Sequence, residues 1–319
     1  CALPICMNPD IDITRYLSCR RDPVNAAPFA GTIDIQRRGG VTGHLALLRG
    51  YIPAAQNAWE YVTAQVDDYF DQVLALLHAR RRQMLDTGQS AGASLNDDEI
   101  RPLIGGLYLQ MVELMGRRTG EMHYALAQQT DDPEFAPEPF SMLYQRSLYQ
   151  AMGAQLRFVM GRLKKSLASL PDAVKEEASR ILAIENEIDA HLRAIVRCKL
   201  TASKIRVHGD YRLEQLLFTG KDFVIIDFEG EAPRPLSERR LKRSPLRDIA
   251  GIVRSFHYAA YATLFVQRSD PVEDRAVMEN AVDYWYSETV NTFIAAYFES
   301  IGAGTVLPHS PAELSMLLK

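Results

Sequence analysis

Cysteine is scarce: the 319 residues include four, Cys1, Cys6, Cys19 and Cys198, and no pair has the C-x-x-C spacing of a zinc or redox site. They are read as reduced thiols, and a disulfide-stapled scaffold is excluded. Long apolar runs are also missing; no stretch of about 18 apolar residues predicts a spanning helix, so no membrane partner is expected. Positive charge is not in excess. The 36 Lys and Arg face 40 Asp and Glu, a formal net charge of -4, which argues against a nucleic-acid binder working by bulk electrostatics. Repeats and low-complexity segments are absent. At 47% hydrophobic and 24% charged, the chain has the usage of a globular protein rather than a disordered or collagen-like one. No initiator methionine or signal-type apolar segment opens it, so the expected location is cytoplasmic and the start is read as a truncation.

What is present is a change of period along the chain. Pro9, Asp10 and Asp12 suit the first turn of a short helix ahead of Ile13, Tyr16 and Leu17. Thr32 to Gln36 and His44 to Leu48 flank Gly39-Gly40, a hairpin signal. From Trp59 through Val62, Val66, Tyr69, Val73 and Leu77 the spacing is that of a long amphipathic helix. Thr87 to Ser94 reads as a loop, and the next helical run stops near Gln129 before Asp131, Asp132 and Pro133. Leu148 to Leu167 predicts one further helix, and Val174 to Ile195 another. Short apolar runs with turn residues occupy Ile205 to Asp227, after which Leu246 to Phe265 and Ala281 to Phe298 return to helix.

The chemistry lies in the short-run region. Leu216 to Phe218 and Phe223 to Ile226 predict two strands joined by Thr219-Gly220-Lys221-Asp222, with the turn centred near Lys221. An in-register hairpin then sets Gln215 opposite Asp227, about 5 Å apart at Cβ. Asp210 precedes Gln215 by five positions. In phosphoryl transfer that spacing presents a carboxylate to a substrate hydroxyl while a downstream amide and carboxylate hold Mg²⁺. Hard oxygen donors from Gln215 and Asp227 suit that ion, and His208 is expected to brace the loop through the backbone.

The run from Val207 through Ala260, containing HGDYRLEQLL and then DFEGE followed by RPL-x-ERR-x-KRSPLRD, resembles the maltokinase family, whose members occur alone or fused behind trehalose synthase (maltose α-D-glucosyltransferase). Asn8-Pro9-Asp10 resembles that family's helix-C opening. Leu47 to Pro53 with Ala58-Trp59-Glu60 resembles its hinge, and Gly116 to His123 its first long C-lobe helix. The resemblance implies an α+β, protein-kinase-like (aminoglycoside phosphotransferase-like) two-lobed fold. Residues 1–55 would be the remnant of a truncated nucleotide lobe with its hinge, and 56–319 a mainly helical catalytic lobe. It implies ATP-dependent phosphorylation of maltose to maltose 1-phosphate with Mg²⁺, in a trehalose synthase fusion. Asp210 would be the catalytic base, Gln215 and Asp227 the metal ligands, and the backbone of Gly50, Tyr51 and Ile52 the adenine-binding hinge. Glu229 and Glu231 lie beside the metal in sequence.

Three positions depart from the family. Arg212 stands where it usually has His, Glu214 where it usually has Gly, and Asp12 where the helix-C Glu is expected. The phosphate-binding Lys and its strands are expected before Cys1, and a further sugar-pocket segment beyond Lys319. The alternatives are a kinase of another small molecule, such as an aminoglycoside, a choline-like amine or a different sugar, and a degenerate domain that supports a fused glucosyltransferase. The run Arg239, Arg240, Lys242, Arg243 and Arg247 reads as an ion-pair network rather than a phosphate clamp. Gly39 to Gly43 reads as a hairpin turn, since it lacks the Gly-Lys-Ser/Thr ending of a phosphate loop. Glu121 and His123 read as packing and hydrogen-bonding residues. The aromatic residues Tyr258, Tyr261, Phe265, Tyr284, Trp285 and Tyr286 are expected between the last two helices, with sugar stacking by one of them as the minor alternative.

Overall fold

A computed structural model describes residues 8–22, 24–36, 42–53, 56–87, 95–268, 271–302, 306–308 and 310–318. Cys1, Cys6, Gly39-Gly40 and most of the loop at 87–94 lie outside these residues. In chain order the elements are α1 (Pro9–Ser18), β1 (Phe29–Gln36), β2 (Thr42–Arg49), β3 (Gln56–Asn57), α2 (Ala58–Asp86), α3 (Asp97–Ile100), α4 (Gly106–Leu126), β4 (Glu138–Pro139), α5 (Met142–Ser166), α6 (Asp172–Ala183), α7 (Glu185–Ala194), β5 (Ser203–Lys204), β6 (Leu216–Phe218), β7 (Phe223–Ile225), α8 (Leu236–Arg239), α9 (Leu246–Ala262), α10 (Arg275–Ile301) and α11 (Pro311–Leu318). The fold is mixed α and β, and mostly helical.

Contacts divide the chain into two compact units, 1–136 with 206–303, and 137–205 with 304–319. In the first, the α2 stripe predicted from Trp59 onward is buried at Val62, Val66, Tyr69, Val73 and Leu77. It packs with α9, whose Ile249, Ile252, Phe256 and Ala259 are also buried, and with α10. By length and composition Leu246–Val266 is apolar enough to cross a membrane, which corrects the expectation of no such helix. Arg247, Asp248 and Arg254 interrupt the apolar run in sequence, while its apolar face builds this core.

The α4–α10 contact is close because glycine makes it so. A Cβ at Gly116 would lie 2.4 Å from the Phe293 carbonyl oxygen, and one at Gly120 would lie 2.9 Å from that of Tyr297. Trp285 stacks on Tyr108 of α4 at 5.3 Å, so it packs against α4 rather than between the last two helices, where it was expected. Tyr258 does not join it: 65% exposed, it leans on Trp59 of α2.

Sheets are small. β1 and β2 pair antiparallel as predicted, and β3, β6 and β7 form a second sheet in the order β3-β6-β7. Asn25 to Ala27 continue it past β7, with Ile225 N–H donating to the Asn25 carbonyl at 2.9 Å and Ala27 N–H to the Ile225 carbonyl at 3.0 Å.

The second unit gathers Phe140, Ile195, Leu200 and Ala202 with Tyr144, Leu148, Met152 and Met316. Buried Gln145 donates to the carbonyls of Ile195 (2.5 Å) and Cys198 (2.7 Å) and accepts from Leu200 N–H (3.2 Å), so one amide closes the loop after α7. The single helix predicted over Val174 to Ile195 is two helices, α6 and α7, broken at Ile184. Glu185 and Glu187 favour a new helix N-terminus at the break.

Candidate active site

The catalytic-loop candidate His208-Gly209-Asp210 hangs from one carboxylate. Asp248, buried in the first turn of α9, accepts His208 N–H at 2.8 Å on Oδ2 and Gly209 N–H at 2.9 Å on Oδ1. A third bond comes from His123 Nε2 at 3.0 Å, whose Nδ1 meets the Tyr297 hydroxyl at 3.1 Å. Burial works to raise the Asp248 carboxyl, but the His123 bond and charge and the loop N–H groups hold it below the usual range. Backbone donors fixed by a buried anion give the loop one conformation. His208 braces it as expected: Nε2 donates to the Ile226 carbonyl at 2.9 Å while Nδ1 accepts from Asp210 N–H at 3.4 Å. Burial pushes its imidazole below the ordinary value, consistent with a neutral ring.

Two helices close on this loop. Gly251 of α9 sits so near that a Cβ would meet the Tyr211 carbonyl oxygen at 2.6 Å, and Ser255 accepts Leu213 N–H at 3.1 Å. From α4, Thr119 meets the Tyr211 hydroxyl at 2.7 Å. Gly116, Thr119, Gly120 and His123 recur at helical steps, so one face of α4 serves both α10 and the loop. Arg118 forks onto Asp222 at 2.9 and 2.7 Å, fixing the turn of the β6–β7 hairpin.

That hairpin is antiparallel as predicted, but its register is one residue from the expected one. Leu216 faces Ile225 and Phe218 faces Phe223. Thr219 N–H closes the turn on the Asp222 carbonyl at 2.9 Å. A four-residue turn centres on a bond, between Gly220 and Lys221, rather than on a residue. Gln215 therefore stands opposite Ile226, whose N–H donates to its carbonyl at 3.0 Å, and Asp227 lies one residue beyond. Asp227 has φ 66°, a left-handed backbone uncommon outside glycine and frequent at functional sites.

Asp227 joins Asp10 and Glu229, whose carboxylate oxygens all lie within 4.8 Å of one another. Asp10 reaches them because Asn8 caps α1, accepting Asp10 N–H at 3.0 Å and donating to Glu229 at 3.2 Å. Asp10 itself accepts Phe228 N–H at 3.0 Å and pairs with Arg49. Asp12 lies apart from this cluster: it is buried, 3.7 Å from Arg240, and burial raises its carboxyl. The α1 carboxylate in the cluster is Asp10, two positions earlier. The hinge candidates follow β2. Gly50 N–H donates to the Pro28 carbonyl at 2.8 Å, so that donor is already used; Tyr51 is 87% exposed, and Ile52 is half-buried.

Asp210 opens onto a cavity of about 800 Å³ lined by Trp59, Arg212, Glu214, Glu231, Arg254 and Tyr258, among others. Trp59 and Tyr258 lie 5.6 Å apart at their ring centres. Arg212 grips Asp210 with Nε to Oδ1 and Nη2 to Oδ2, both at 3.1 Å. The basic run is largely structural: Arg239 donates to the Ala232 and Arg234 carbonyls, Arg240 pairs with Glu134, and Arg247 pairs with Glu231. Glu121 pairs with Arg118, as a hydrogen-bonding residue should.

Sequence reasoning missed two features of this site. Asp248 was not singled out as a site residue, although it shares the buried stripe of Ile252 and Phe256, where an unpaired carboxylate is costly. Trp59 was read as helix core and as part of the hinge resemblance, and no local signal couples it to Tyr258.

The fold is similar to that of solved glucosamine kinases. Three glucosamine kinase structures superpose with TM-scores of 0.59, 0.60 and 0.54 at 19%, 18% and 20% identity, covering 92%, 92% and 86% of this chain and 61%, 58% and 55% of theirs. The first is in complex with glucosamine, ADP and inorganic phosphate. Among curated proteins, the glucosamine kinase of Streptacidiphilus jiangxiensis is 25% identical over 184 residues, 57% of this chain and 36% of that protein. The chain thus spans from about a third to three fifths of the length of the relatives it matches. No protein-family model matches it.

Proposed function

We propose that the chain belongs to a sugar kinase that transfers the γ-phosphoryl group of ATP to a hydroxyl of a hexosamine. The observation that carries this reading is the loop pinned by Asp248, which presents Asp210 to a cavity walled by Trp59 and Tyr258. Asp210 orients the attacking hydroxyl and accepts its proton. Gln215 and Asp227, with Glu229 beside them, are hard oxygen donors suited to Mg²⁺. The ion, when bound, neutralises charge on the transferring phosphate. The chain's own contribution is position: Asp248 holds the loop, and Arg118 holds the hairpin that carries Gln215 and Asp227.

Gly50 to Ile52 form the adenine hinge in this proposal. Residues 1–55 then belong to a nucleotide lobe and 56–319 to a catalytic lobe, in a cytoplasmic enzyme whose partner is a small sugar.

Acceptor identity is the finer part. The relatives point to glucosamine, while the long match from DFEGE through KRSPLRD favours maltose phosphorylated at its anomeric hydroxyl, in a trehalose synthase fusion. ADP release with a panel of glucosamine, glucose and maltose separates them. Sugar-dependent turnover is expected, strongest with glucosamine. Asp210→Asn should lower kcat by about 10²- to 10⁴-fold without lowering the melting temperature. Wild-type turnover by that variant would sink the mechanism, and turnover of maltose alone would move the acceptor to the second reading.

A further inference from the structure

The cavity beside Asp210 is lined by four carboxylates among the described residues: Asp210, Glu214, Glu231 and Asp248. Three are committed within the protein. Arg212 forks onto Asp210. Glu231 accepts from Arg234 and Arg247, each at 2.5 Å, and Asp248 carries the loop and His123. Glu214 differs. Its side chain is 41% exposed, and its nearest cation, Arg212, is 3.9 Å from Oε1. A carboxylate at the cavity with no close donor is satisfied best by a charged one.

The surroundings narrow what that donor belongs to. The Trp59–Tyr258 pair offers aromatic surface to a sugar ring. Glu214 and Asp210 bracket the short turn that carries Arg212, so both face one ligand from the same loop. We propose that Glu214 is a specificity-determining residue that selects amino-sugar acceptors by taking the protonated amine on its carboxylate. This rests on the sugar-kinase reading above and goes beyond it by assigning the group that reads the amine.

The test compares wild type and Glu214→Gln in the full chain, measuring kcat/KM for glucosamine and for glucose on the same preparations. Glutamine keeps the shape and removes the charge. The glucosamine-to-glucose ratio should fall by about 10- to 100-fold in the variant, the range for one charge-assisted hydrogen bond. The ratio is internal to each preparation, so partial misfolding lowers both rates and leaves it unmoved. Wild-type selectivity should also decline as pH rises through the amine pKa, and that decline should be absent in the variant. A ratio within about threefold of wild type, less than one such bond supplies, overturns the assignment while leaving the kinase reading intact. Failure of the wild type to phosphorylate any sugar overturns the kinase reading, and this assignment with it.

Discussion

Replacing Asp248 by Asn tests whether one buried carboxylate builds the catalytic loop. Its two oxygens take three donors: His208 N–H and His123 Nε2 on Oδ2, and Gly209 N–H on Oδ1. Asparagine has one acceptor oxygen. Its best placement keeps that oxygen on the Oδ2 side and turns the amide NH₂ toward Gly209 N–H, donor against donor. One buried donor is then unsatisfied, at about 1–3 kcal/mol, and two charge-assisted bonds become neutral ones at roughly half their strength. The expected loss is about 3 kcal/mol, or roughly 6–12 °C in melting temperature for a unit of this size. Activity should fall further than stability, because the Gly209 bond is the one that sets the backbone leading into Asp210. Thermal melts and sugar-dependent ADP release on the same protein measure both. A melting temperature within about 2 °C of wild type, under 1 kcal/mol on this scale, would refute the claim that the carboxylate anchors the loop.

Three other outcomes are expected. Burial lowers the His208 pKa, so the unfolded chain binds more protons near its ordinary value of about 6.5. The stability from a neutral His208 is complete above that pH and lost as pH falls toward the depressed folded value, with a slope of at most about 1.4 kcal/mol per pH unit; denaturant melts from pH 7.5 to 5 should show it, and His208→Asn should flatten it. Gly251→Ala drives a methyl into the Tyr211 carbonyl, at a distance of 2.6 Å, and should cost about 1–3 kcal/mol and reduce turnover, whereas Gly161→Ala, with nothing within 4 Å, should leave the melting temperature unchanged or raised. Arg212→Ala releases Asp210 from a half-exposed pair worth at most about 1 kcal/mol, so kcat should rise by up to about fivefold, and a fall would show that Arg212 serves the acceptor instead.

Legibility followed the range of the interactions. The α2 stripe, the β1–β2 pairing and the β6–β7 hairpin were all readable, because each depends on neighbours a few residues apart and on periods of 3.6 or 2. The errors were also local in kind. The hairpin register slipped by one because the turn has an even number of residues, and α6 and α7 merged because Ile181, Ile184 and Ile188 keep a helical spacing across the break. Asp12 was read at the place of the family's helix-C Glu, and sequence alone does not show that Asp10 is the α1 carboxylate facing Asp227. The Asn8 cap, with its second bond to Glu229, decides that orientation.

The site divides in the same way, and the division explains why the acceptor is harder to read than the reaction. In the proposed reading the groups for transfer, Asp210, Gln215 and Asp227, sit within one short stretch of loop and hairpin. The cavity proposed to take the acceptor is assembled from α2, the loop and α9: Trp59, Glu214, Arg254 and Tyr258 meet only after folding. Within the match around DFEGE the basic run braces the protein itself, since Arg239, Arg240 and Arg247 bond to protein groups. The match favours maltose and the relatives favour glucosamine, and neither says which group of the acceptor meets Glu214. That residue, where this chain departs from the motif and where a cavity carboxylate has no close donor, is the place to decide between them.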